Sequence, residues 1–147
     1  MTAAGPLLGT WHLQDCVGSS DRGDVSLPFG ERPSGMLMYD ADGNMAVTLM
    51  RSYRKSFAVN DITQAAEEEV LAAFHDFDAY SGTYTLNAEE GTVTHHVRQA
   101  RFPNWIGTDQ LRYYTLQGDT LVLRSAPIPR DGRQWTFTLT WVRESVA

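Results

Sequence analysis

The chain has 147 residues, with 12 lysines and arginines against 18 aspartates and glutamates and a net charge of −6. That is enough for one domain with its own core, and it is the wrong sign for gripping a phosphate backbone, so nucleic acid is not an expected partner. No segment offers the roughly 20 apolar residues of a membrane-spanning helix, and the single Cys16 excludes an internal disulfide or a cysteine-built zinc site.

The opening residues, MTAAGPLLGTWHLQD, show neither the basic start nor the apolar run of a secretory leader, which makes a cytoplasmic protein the expectation. A first strand is expected in LLGTWHLQDCV, followed by the polar, glycine-rich stretch GSSDRGDVSLPFGERPSG. GMLMYDADGNMAVTLMR reads as a hairpin turning at Asp42 and Gly43. Thr63 to Tyr80 is the one segment with helical spacing, carried by Ala66, Val70, Ala73, Phe74 and Phe77. Thr63 is its expected cap, and Gly82 is expected to stop it. SGTYTLNAEEGTVTHHV forms a second hairpin around Glu89 to Gly91, and YYTLQGDTLVL a third around Gln117 to Asp119. In RQWTFTLTWVRE, Trp135, Phe137, Leu139 and Trp141 alternate with threonines, a period of two with the bulky residues facing in. About eight to ten antiparallel strands with one accessory helix and no βαβ alternation predict an all-β chain, one domain over 1–147. Strands of that number close best as an up-and-down barrel with room for one small ligand.

The run from Gly91 to Leu123 carries the candidate chemistry, because polar and aromatic side chains are packed there more densely than a dry core tolerates. His95 and His96 are adjacent on a strand and must point to opposite faces. Val93, His95 and Val97 form the more apolar set, so His95 is the inward candidate, as a proton-transfer group or as a core histidine satisfied by a hydrogen bond. If Tyr114 and Leu116 face inward, Gln110 and Arg112 do too, and an inward guanidinium needs a carboxylate or a bound anion. The other register, with Leu111 and Tyr113 inside, would leave Arg112 in water. Asn104 and Trp105 lie where Pro103 and Gly107 interrupt pairing, either as a ligand-stacking rim or as a structural corner. Tyr39, Tyr84, Trp135, Phe137 and Trp141 are further candidate lining residues. His12 and His75 are expected in solvent, and Cys16 in packing. The histidine spacing offers no metal site, and no phosphate loop, nucleophile elbow or dinucleotide fingerprint occurs, so no cofactor is expected.

Taken together, LLGTWHL, LPFG (27–30), GMLMYDADGNMAVTLMR, AYSGTY, THHV and FPNWIGTDQLR resemble the bacterial and fungal lipocalin-like domain family over nearly the whole chain. The resemblance implies a calycin-type barrel around a cavity, with Trp11 of the Gly-x-Trp signature plugging the closed end against Arg143. It also implies a hydrophobic small molecule as the partner. The leading expectation is a cofactor-independent isomerase, cyclase or dehydratase of secondary metabolism, with His95 moving a proton while Arg112 and a tyrosine such as Tyr114 steady negative charge. The alternative is a non-catalytic carrier, and a third possibility is an interaction module whose barrel is filled by its own side chains.

Overall fold

Alternation along the strands is what closes this sheet. In the computed structural model the described residues are 5–145, so both ends of the expected 1–147 domain lie outside the described residues. Ten strands occur among them: β1 Gly9–Ser20, β2 Val25–Ser26, β3 Ser34–Tyr39, β4 Asn44–Met50, β5 Phe77–Asn87, β6 Thr92–Ala100, β7 Asp109–Gln117, β8 Thr120–Ser125, β9 Ile128–Arg130 and β10 Arg133–Arg143. Eight of them form a ring in the order β1-β3-β4-β5-β6-β7-β8-β10, which closes where β10 pairs back onto β1. Every pairing is antiparallel, while β2 and β9 hang from the open ends of β1 and β10. In β3, Leu37 and Tyr39 are buried while Met36 and Met38 face out, and in β8 Leu121 and Leu123 are buried while Thr120 and Arg124 face out. Closing the ring leaves no long unpaired edge.

The two ends of the barrel differ. At one end the hairpins are tight. In the first, the Asp40 carboxylate accepts from the Asp42 and Asn44 amides at 3.0 and 2.8 Å, and Gly43 supplies φ +90°. Trp11 plugs this end, wholly buried, with its indole N–H donating to the Leu7 carbonyl at 3.0 Å. The Arg143 guanidinium covers the ring at 4.2 Å from its centroid and donates to the Leu8 and Pro6 carbonyls. At the other end the connections are long, spanning 21–33, 51–76, 101–108 and 126–132, and they surround a mouth.

The expected helix from Thr63 to Tyr80 is corrected. The helix, α1, is Glu67–His75, capped by Ala66, and Thr63 belongs to a separate short turn where it donates to Asp61. The remainder of the predicted segment is strand. Phe77 to Tyr80 pair with β4 on one side, and Tyr80 to Asn87 pair with β6 on the other, so ladder hydrogen bonds and burial of Tyr80 and Tyr84 override local helical spacing. Gly82 therefore stops no helix. It lies beside a bulge opposite β6, where a Cβ would fall 1.9 Å from the His96 carbonyl oxygen, and only glycine permits that approach.

Arginines fasten the C-terminal end of α1 to the barrel. Arg101 donates to the Phe74 and Phe77 carbonyls, Arg54 donates to the Ala73 carbonyl, and Arg51 pairs with Asp76 at 3.0 Å. Cations at this end suit both the unpaired carbonyls and the helix dipole. Among the described residues no helix is long and apolar enough to cross a membrane.

Candidate functional site

The barrel is hollow. A cavity of about 570 Å3 runs inward from the mouth, bounded mainly by apolar side chains such as Phe29, Leu37, Val47, Leu139 and Trp141. Its volume lies in the range of pockets for small organic ligands. Phe74, His75 and Asp76 bring the end of α1 to its rim, so the helix is part of the mouth, and His75, although exposed, borders the cavity.

His95 is inward, as its alternation on β6 predicts, and only 1% of it is exposed. Both ring nitrogens are bonded: the Tyr39 hydroxyl lies 2.7 Å from Nε2 and the Tyr80 hydroxyl 2.7 Å from Nδ1. Burial, reinforced by the Arg112 guanidinium and then by His96, holds the imidazole well below the usual histidine range, so at neutral pH it is uncharged. Burial likewise pushes both tyrosine hydroxyls above the ordinary phenol range, against the pull of Arg112. His96, on the outer face, instead pairs with Asp109 at 2.8 Å.

Arg112 lines the cavity, which selects the inward register for β7 and leaves Tyr113 exposed. Its guanidinium sits 5.7 Å from the Trp105 ring centroid and donates to the Leu111 carbonyl at 3.0 Å. None of the ion pairs among the described residues includes it.

The structure brings His95, Arg112, Trp105, Phe137 and Trp141 to the cavity, and places the remaining candidates elsewhere. Tyr39 stands behind His95, and Tyr84 is buried beside Tyr39 with its hydroxyl spent on the Asp40 carbonyl at 2.8 Å. Tyr114 packs against the core cluster, Gln110 donates to the Thr108 hydroxyl, and Asn104 is exposed in the short turn Pro103–Trp105. Trp135 stacks on Phe137 from outside the cavity lining and donates to the Arg130 carbonyl. Tyr80 is the principal residue that helical spacing conceals, since that spacing runs through its segment. The signal for it was the four-residue spacing of Tyr80 and Tyr84, which puts both on one face of a strand.

Cys16 also borders the cavity, and burial first, then Asp15, pushes its thiol up to about 12. With so little thiolate, alkylation by iodoacetamide at pH 8 is expected to run roughly a thousandfold slower in the native protein than in urea. Mass spectrometry of timed samples measures this, and equal rates would show a thiol in ordinary contact with water.

The comparisons agree with this architecture. A family model described as a lipocalin-like domain matches residues 8–144. The 4'-hydroxy-3'-methoxypropiophenone carrier protein of Aspergillus oryzae is 32% identical over 104 residues, covering 66% of this chain and 94% of that protein. No solved structure matches the chain.

Proposed function

We propose that this chain, which belongs to the lipocalin-like domain family, is a binding protein that encloses a small, largely apolar aromatic metabolite and carries it without chemical change. One observation carries the reading: a cavity of about 570 Å3 with mainly apolar walls, into which Tyr80 and Arg112 bring a polar cluster beside His95. Such a cavity buries an aromatic body and uses few polar groups to orient it. The relative's name, a carrier of an aryl ketone, supports the same ligand class.

His95 also fits this reading better than a proton-transfer role. With both nitrogens engaged by tyrosines and the ring kept neutral by burial, it presents no lone pair to a guest while those bonds stand. Its work is to hold two hydroxyls in place.

Calorimetric titration with 4'-hydroxy-3'-methoxypropiophenone tests the proposal, with a Kd on the order of 10 μM expected for a ligand of this size. Leu139→Trp, which fills the cavity, is expected to weaken binding at least about tenfold. Absent binding, or affinity indifferent to the added indole, would contradict the carrier reading.

A second reading has one observation in its favour. A guanidinium beside a tyrosine hydroxyl could hold the charge of an enolate, as cofactor-independent isomerisation, cyclisation or dehydration requires. Incubation of the bound molecule with the protein separates the two: recovery of unchanged ligand after many hours supports a carrier, and a new product abolished by Arg112→Gln supports an enzyme.

A further inference from the structure

The polar groups of the cavity are unbalanced, and the imbalance points to the charge of the guest. Among the lining residues Asp76 and Asp78 are already committed, to Arg51 at 3.0 Å and Arg101 at 3.5 Å, and Arg130 leans toward Asp131 at 3.9 Å. Arg112 has no carboxylate within 4.0 Å among the described residues, although it has donors to spare beyond the one given to Leu111. Trp141, 1% exposed and part of the same lining, has an indole N–H with no partner among the described residues. A buried donor without an acceptor is unfavourable, so the cavity calls for acceptor oxygens.

The tyrosine–histidine array adds a third donor. A neutral imidazole has one N–H and one lone pair, so one tyrosine donates to the ring and the other accepts from it. Tyr39 is sealed in the core, 2% exposed, and among the described residues its hydroxyl has no other acceptor than His95 Nε2. The arrangement that strands no proton in the sealed core has Tyr39 donating to Nε2 and Nδ1–H donating to the Tyr80 oxygen. Tyr80 then keeps its own O–H, and Tyr80 borders the cavity.

We propose that the barrel selects aromatic ligands bearing an oxyanion, a carboxylate or an ionised phenol, and that this oxygen sits against the Arg112 guanidinium and accepts from the Tyr80 hydroxyl. The inference rests on the carrier reading and narrows its ligand. It assigns Arg112 and Tyr80 as the residues that set specificity, through a charge-assisted hydrogen bond among mainly apolar walls.

Four probes at pH 8, followed by tryptophan fluorescence, test it: cinnamate against cinnamamide, and 4'-hydroxypropiophenone against its 4'-methoxy ether. Wild-type protein is expected to prefer the charged member of a pair by about tenfold or more. In Arg112→Gln the preference falls to within about threefold, and Tyr80→Phe loses part of it. A preference confined to the first pair identifies a carboxylate ligand. A preference confined to the second, with the red-shifted absorbance of the bound phenolate, identifies an ionised phenol. Similar affinity for all four, or a preference that survives Arg112→Gln, overturns the oxyanion inference and leaves the carrier reading standing. If none of the four binds, both fall.

Discussion

Trp11→Ala is expected to destabilise the protein by about 4 kcal/mol, lowering Tm by roughly 10 °C in a domain of this size. The indole is wholly buried, so truncation loses its transfer energy and leaves a void at the end of the barrel that the tight hairpins cannot collapse to fill. Two specific interactions go with it. The N–H bond to the Leu7 carbonyl ties the short turn Gly5–Leu7 to the plug, and the guanidinium of Arg143 loses the ring it covers at 4.2 Å. Urea unfolding of wild type, Trp11→Ala, Arg143→Gln and the double variant gives the coupling, expected near 1 kcal/mol in the direction of mutual stabilisation. Arg143 also bonds the Pro6 and Leu8 carbonyls and approaches Asp119 at 3.3 Å, so its single variant is costly by itself. Loss of less than about 1 kcal/mol in Trp11→Ala would mean that the closed end is held by the hairpins alone, against the role given to the plug.

The fold was legible in the sequence wherever a period of two ran between recognisable turns. Asp42-Gly43, Glu90-Gly91 and Gly118-Asp119 mark the tight end of the barrel, and the inward sets of β6, β7 and β10 follow from alternation. Phe77 to Tyr80 reads as helix for a physical reason: Ala66, Val70, Ala73, Phe74 and Phe77 do fall at helical spacing, and nothing local reveals that the chain must pair with β4 and β6 beyond His75. That single boundary concealed Tyr80, the hydroxyl nearest the cavity chemistry. Arg112 and His95 were legible because strand alternation offers only two faces. The distribution of the aromatic candidates was not. Whether Tyr39, Tyr84, Tyr114 or Trp135 meets the cavity depends on its level along the barrel axis, and pattern alone gives the face without the level.

The level also explains why the candidate site residues cluster as they do. The cavity opens among the long connections, and the groups that can meet a guest, Tyr80, Trp105 and Arg112, come from the halves of β5 and β7 near that opening and from the turn between β6 and β7. Trp11 and Tyr84 lie toward the tight hairpins and are spent on closure. The plug thus closes one end of the barrel while the candidate ligand groups lie at the other, so substitutions at the mouth leave the plug in place.

Acidification is expected to destabilise the wild-type protein through His95 before most carboxylates titrate. Folded, the imidazole is neutral, because burial first, and then the Arg112 guanidinium and His96, disfavour a positive charge on the ring. Unfolded, it takes a proton near its ordinary pKa of about 6.5. Below that pH the unfolded chain binds one more proton than the folded one, so stability declines as pH falls, by up to about 1.4 kcal/mol per unit, until the folded pKa is reached. Above about pH 7 the contribution is flat. His95→Gln isolates this effect, because an amide can still donate to one tyrosine and accept from the other yet does not titrate between pH 7 and 5. The His96–Asp109 and His12–Glu144 pairs are common to both proteins and cancel in the difference. Urea unfolding at half-unit steps from pH 7.5 to 5 is expected to show wild type more stable than the variant at neutral pH, with the gap closing by about 1 to 2 kcal/mol on the way down. A gap that stays constant across the range would show that His95 gains its proton equally easily in the folded state. The histidine would then be wet or paired with a negative charge, and the neutral Tyr39–His95–Tyr80 array on which the ligand assignment depends would not exist.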